Sequence, residues 1–171
     1  MPLSIEIKAY CTDPVRIRNY LLNQKAKFIG TDFQRDTYFN VNNGRLKLRE
    51  GKIENALIFY ERDNQPGPKP SSIMLYKPGN NQVLRELLER ASGIKVVVEK
   101  NREIYFLGNV KFHIDEVNRL GNFVEIEAID QDGSIDREIL QQQCEFYQAQ
   151  LGILEKDLIK HSYSDLLLNE I

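Results

Sequence analysis

Apolar and polar residues alternate with a period of two along much of this chain, the pattern of strands with one dry and one wet face. Ile5 and Ile7 fall opposite Ser4, Glu6 and Lys8, and Leu46 and Leu48 fall opposite Arg45, Lys47 and Arg49. Phe112 and Ile114 oppose Lys111, His113 and Asp115 in the same way. In Phe123-Val124-Glu125-Ile126-Glu127 the two carboxylates share one face, with Val124 and Ile126 behind them. Further strands are expected around residues 37–40, 56–62, 73–77 and 95–106. Three other segments carry a helical period. Asp13 as N-cap and Pro14 at the first helical position open one that runs to about Ala26. Asn81 opens a second, in which Val83, Leu84, Leu87, Leu88 and Ala91 form an apolar stripe and Gly93 stops the helix. A third starts near Ser134, places Leu140, Cys144, Tyr147 and Leu151 on one face, and ends at Gly152. A short fourth turn is expected over residues 163–168. The stretch Asp63–Ser72 holds three of the six prolines and reads as an exposed connection between strands. Many antiparallel strands with a few helices predict an α+β fold.

Composition narrows the class. The 171 residues, 42% hydrophobic and 28% charged, suit one folded domain spanning the whole chain. Lys plus Arg number 23 and Asp plus Glu 25, and a net charge of −2 argues against a nucleic-acid partner. No apolar run approaches the length of a membrane span, and the first residues lack the basic and apolar regions of a signal peptide. Cys11 and Cys144 have no disulfide or metal spacing and read as buried, reduced thiols of a cytoplasmic protein. No phosphate-binding glycine loop, nucleophile elbow, His-Glu-x-x-His or paired-cysteine motif is present. Of the two histidines, His113 is expected as a hydrogen-bonded lining residue and His161 as a surface or packing residue.

The charges are sorted by strand. Arg45, Lys47 and Arg49 share a face with no acid among them, as do Lys100 and Arg102, whereas Glu125 and Glu127 share another. Each charged face can be the wet side of an open sheet. Alternatively, the strands curl into a barrel with the charged face inward and the helices packed outside. The inward set would then hold Lys8, Arg45, Lys47, Arg49, Arg62, Lys100, Arg102 and Lys111 against Glu6, Asp115, Glu125 and Glu127. Confined cations repel unless a polyanion sits among them, and Arg suits phosphate oxygens through its planar fork. Carboxylates beside phosphate become useful when they hold Mg²⁺ or Mn²⁺. The combination points to a triphosphate with a divalent metal.

The same residues carry a resemblance. Ile5-Glu6-Ile7-Lys8 is similar to the second half of the Glu-x-Glu-x-Lys signature of the CYTH superfamily, the triphosphate tunnel metalloenzymes. The later blocks Asp36-Thr37-Tyr38-Phe39, Gly44–Glu50, Glu99–Arg102, Val110–Val117, Leu120–Glu127 and Ser162–Leu167 follow in the family's order. As a set they cover nearly the whole chain and most resemble the class IV adenylyl cyclases. The resemblance implies an eight-stranded antiparallel β-barrel, or tunnel, with helices packed on the outside. It implies Glu6 and Glu125 as metal ligands, with Glu127 in or next to that shell. Lys8, Lys47, Arg49, Arg62, Lys100 and Arg102 would bind phosphate, and Asp115 would sit near the reacting centre. A homodimer is compatible with it. The family's first glutamate is Ser4 here, which removes one negative charge from the metal site. The expected chemistry is conversion of ATP to cyclic AMP and pyrophosphate. The alternatives are hydrolysis of inorganic or thiamine triphosphate, and a binding module that lost its chemistry with Ser4.

Overall fold

The computed structural model describes residues 3–62 and 64–169, with Arg62 in its backbone only. The alternating segments become eight strands: β1 (Leu3–Tyr10), β2 (Lys27–Phe39), β3 (Arg45–Glu50), β4 (Ala56–Arg62), β5 (Lys69–Tyr76), β6 (Ile94–Leu107), β7 (Val110–Val117) and β8 (Gly121–Asp130). They close into a barrel in the order β1-β5-β4-β3-β2-β6-β7-β8, each neighbouring pair antiparallel. Closure removes the unpaired edges of an open sheet, so of the two expected arrangements the barrel is the one found.

The dry faces point outward. Ile5, Ile7, Ala9, Phe112, Ile114, Val124, Ile126 and Ala128 form a wall that is covered by helices α1 (Pro14–Asn23) and α3 (Arg137–Gln150) through Ile17, Leu21, Leu140 and Cys144. Both cysteines are free and buried. Helix α4 (Tyr163–Asn169) packs Tyr163 and Leu167 instead on a second cluster with Tyr38, Val98 and Phe123, which stand on the inward face of their strands. No helix of the described residues is long and apolar enough to cross a membrane.

Four expectations are corrected. The first helix ends at Asn23 rather than near Ala26, because Lys25 takes a φ of 58° and turns the chain into β2. Strand β2 is far longer than residues 37–40: Asp32, Gln34 and Asp36 are buried while Phe28, Ile29 and Phe33 are exposed, so the usual apolar-inside signal is inverted. The proline-rich connection is shorter than residues 63–72, since Lys69–Ser72 already belong to β5 and pair with β1. Lys69 is fully buried there and donates to the carbonyls of Gln65 and Ile159, which is why a lysine can sit in a strand of the barrel.

Helix α2 (Asn81–Ser92) opens at Asn81 and stops at Gly93 as expected, and the Asn80 side chain caps it by accepting from Val83 N. It lies against β2 and β3, tied down by Arg85 on Glu50 at 2.6 Å, and leaves Val83 and Leu87 of its stripe exposed. The third helix starts at Arg137, three residues beyond Ser134, because Asp130 accepts from Gly133 N and Ser134 N and holds that segment in a turn.

Candidate active site in the barrel interior

The polar faces of β1, β2, β3, β6, β7 and β8 line the bore, while β4 turns Ala56, Ile58 and Tyr60 inward, and the register sets which charges meet. Asp36 stands opposite Arg49, Arg102 opposite Asp115, Lys8 opposite Glu125, and Glu6 opposite Glu127. Three clusters result.

The first is built on Asp36 of β2, which is 1% exposed. Arg49 grips it through two hydrogen bonds of 2.9 and 2.7 Å, Lys100 Nζ lies at 2.9 Å and Lys47 Nζ at 3.4 Å. Burial works against this carboxylate, but the three cations hold it well below the usual range. Lys100 is pushed well below the ordinary lysine value, first by burial and then by the neighbouring cations, against the pull of Asp36.

The second joins β6, β7, β8 and β1. Arg102 takes both oxygens of Asp115 at 2.8 and 2.7 Å and reaches Glu125 at 3.3 Å. Lys8 Nζ stands 3.1 Å from Glu125 and 3.8 Å from the centroid of the Tyr163 ring. The Tyr163 hydroxyl donates to Asp115 at 2.7 Å. His113 Nδ1 lies 2.9 Å from Glu125; a carboxylate only accepts, so Nδ1 donates and Nε2 is left as an acceptor. Burial and Arg102 push His113 down to about 4, so the ring is neutral at pH 7, and Nε2 has no hydrogen-bond partner among the described residues. His113 is thus a hydrogen-bonded lining residue, as expected.

The third is acidic. Burial and the neighbouring Glu6 push Glu127 up to about 7. The Ser4 side chain is buried on the same face and pulls Glu127 weakly in the other direction.

Two groupings can be compared as metal sites. Ligand atoms of His113, Asp115 and Glu125 lie within 4.8 Å of one another. Arg102 already bonds both carboxylates there, and an ion would have to displace it. Glu6, Glu125 and Glu127 form an all-oxygen set in which Glu6 and Glu127 repel, and a hard divalent cation relieves that repulsion. Glu125 belongs to both sets and is itself engaged by Lys8, Arg102 and His113, so in either set an ion would have to displace a partner of Glu125.

Of the other expected residues, Arg45 stands at the rim and bonds Asp165 of α4 at 2.7 Å, and Lys111 pairs with Glu54. The Arg62 side chain lies outside the described residues. His161 is partly exposed, 3.9 Å from Asp165. The expected excess of cations over acids is corrected: Asp36, Glu54 and Asp165 enter the interior from β2, a loop and α4. Each was invisible to a reading by strand face, because only Asp36 lies in a strand, and there the apolar signal is inverted. Tyr163 was likewise missed as a site residue, since a lone aromatic in a short helix reads as core.

The CYTH domain family matches residues 3–163 of the chain. A Methanocaldococcus jannaschii protein provisionally named an adenylate cyclase is 28% identical, over 96% of this chain and 98% of its own length. The solved PH1012 protein of Pyrococcus horikoshii superposes with a TM-score of 0.81 at 24% identity, covering 95% of this chain and 98% of its own. A Hippeastrum protein described as having a dominant triphosphatase activity superposes with a TM-score of 0.62 at 13% identity, over 99% of this chain and 95% of its own.

Proposed function

The chain belongs to the CYTH domain family, and from that premise we propose that it is a metal-dependent enzyme that converts ATP to cyclic AMP and pyrophosphate. The observation that carries this reading is the barrel interior, where cations from β1, β3, β6 and β7 face the Glu6–Glu125–Glu127 set within one bore. The provisional name of the M. jannaschii relative supports the cyclase form of it. Lys8, Lys47, Arg49, Lys100 and Arg102 neutralise the phosphate charge that develops as the ribose 3′-hydroxyl attacks the α-phosphate and pyrophosphate leaves. Arg45 and Lys111 extend that basic lining. Asp115 positions the reacting centre through Arg102 and Tyr163, which between them engage both of its oxygens. Glu6, Glu125 and Glu127 would hold Mg²⁺ or Mn²⁺, which when bound supplies positive charge to the phosphates.

The test is incubation with ATP, tripolyphosphate and thiamine triphosphate, with Mg²⁺ and then Mn²⁺, followed by chromatography of the products. Cyclic AMP with stoichiometric pyrophosphate is expected. Release of orthophosphate from any of the three reassigns the chain as a triphosphatase, and binding with no turnover makes it a binding module.

A further inference from the structure

Strand β4 breaks the charged lining of the bore, and β5 continues the break. The register sets Ile58 between Lys47 and Leu75, and Tyr60 between Arg45 and Ile73. Residues directly opposite in an antiparallel pair share a face, so these apolar and aromatic side chains stand on the inward face beside two cations of β3. Lys47 Nζ lies 5.1 Å from the centroid of the Tyr60 ring. Ile58 and Tyr60 are buried, Ile73 is half-buried and Leu75 is 63% exposed.

This wall lies on the side of the bore that water reaches. At one end of the barrel, α4 seats Tyr163 and Leu167 on Tyr38, Val98 and Phe123. At the other, the β3–β4 loop reaches across to β6 and β7: Glu54 pairs with Lys111 and lies 3.6 Å from Arg49 and 3.7 Å from Arg102. Asp32 of β2 fixes that loop by accepting from the backbone N–H groups of Lys52, Ile53 and Glu54 at 2.8, 3.1 and 3.0 Å. The other side of this end belongs to β4, β5, β1 and β8. Leu57, just after the loop, pairs with Tyr76, which places Leu75 at this end. On β1 and β8 the inward residues Glu6, Glu125, Glu127 and Ile129 are half-buried, whereas the outward Ile5, Val124, Ile126 and Ala128 are buried. An apolar wall and the carboxylate set thus share one solvent-reached compartment, with the cations of β3 next to the wall.

Inorganic phosphate chains gain nothing from such a wall, whereas a phosphorylated molecule with a flat, weakly polar ring uses both the wall and the cations. We propose that Ile58, Ile73 and Leu75 form the subsite for the organic part of the substrate. In the nucleoside triphosphate reading above, on which this inference rests, that part is the nucleobase. The phosphates lie on Lys47, Arg49 and their neighbours, and the ring packs on the aliphatic side chains one and two strands away.

Titration calorimetry on the full chain tests it, with ATP and tripolyphosphate as probes, in EDTA and again with Mg²⁺, against wild type, Leu75→Ser and Ile73→Ser. Each substitution removes apolar area and leaves every cation in place. The ratio of ATP to tripolyphosphate affinity should fall about fivefold in each variant, with the tripolyphosphate affinity itself unchanged. Val83→Ser, at a similarly exposed position on α2, should leave the ratio as it is in wild type. An unaltered ratio in both β5 variants while tripolyphosphate still binds overturns the inference and leaves the triphosphate reading standing. An equal fall in Val83→Ser does the same. Absence of tripolyphosphate binding in every protein instead removes the triphosphate reading, and the subsite with it.

Discussion

Arg49 and Arg102 each hold a buried aspartate through two parallel hydrogen bonds and still present a further nitrogen to the bore. Such a guanidinium is oriented before any ligand arrives, so little side-chain entropy is lost on binding. Replacing Arg49 or Arg102 by Ala should weaken tripolyphosphate binding by about 1.5–3 kcal/mol, and calorimetry showing no change would remove that residue from the site. His113 and Glu127 give opposite pH responses. His113 falls from 6.5 to about 4 on folding, so the stability it contributes is present above pH 6.5 and is lost as pH drops through 4. Glu127 rises from 4.5 to about 7, so its contribution is present below pH 4.5 and is lost as pH rises through 7. Each is worth about 3 kcal/mol at full extent, and between pH 4.5 and 6.5 the two offset each other. Metal-free Glu127→Gln should therefore lose stability more steeply on acidification than wild type, and His113→Gln less steeply. Denaturant titrations at pH 4.5, 6 and 7.5 with parallel slopes for all three proteins would refute both assignments.

At the scale of elements, legibility followed the contrast between faces. Strands β1, β3, β7 and β8 pair charged residues with aliphatic ones, so their existence and the sharing of one face by their polar side chains could be read from the chain, while the inward direction of that face was implied only by the resemblance. The N-cap of α1 was also legible, and Asp13 does accept from Arg16 N at 3.1 Å. Only the end of β2 near Thr37 was legible, because the buried positions before it are polar and its aromatic residues Phe28 and Phe33 face solvent. The first half of β5 was hidden by Pro66, Pro68 and Pro70, although Pro70 pairs with Ile5 and Lys69 with Glu6 in the barrel. The β3–β4 loop offered no periodic signal at all, since Glu54 enters the bore from outside the strands. Its geometry makes a separate prediction. Gly51→Ala forces a methyl group onto the Asp32 carboxylate, which is committed to three backbone N–H groups and cannot move without breaking them. The substitution should cost about 1–3 kcal/mol by thermal or chemical denaturation, and a cost near zero would show that the loop is free to shift.

Across the whole molecule, the interior is a neutralised lattice of charges rather than an open basic bore, and this sets how folding and ligand binding are linked. Asp36→Asn leaves Arg49, Lys47 and Lys100 facing one another without their shared anion, which should destabilise the ligand-free protein by about 3–5 kcal/mol. Tripolyphosphate supplies the missing charge, so its stabilising effect should be larger on this variant than on wild type, and equal shifts in melting temperature would contradict that linkage. The acidic side of the bore answers to the same balance with the opposite sign. Ser4 points into the barrel on the same face of β1 as Glu6, and its neighbour across β8, Ile129, lies two residues from Glu127. Ser4→Glu adds a third carboxylate to a place where two already repel, so the metal-free variant should melt below wild type. With Mn²⁺ present the added ligand should tighten metal binding by about tenfold and enlarge the thermal shift, and turnover of a triphosphate should rise with it. Glu6→Gln and Glu125→Gln each remove a ligand charge and should abolish that turnover. Should Ser4→Glu melt like wild type both with and without Mn²⁺, the metal does not sit beside Glu6, and the Glu6–Glu125–Glu127 assignment fails.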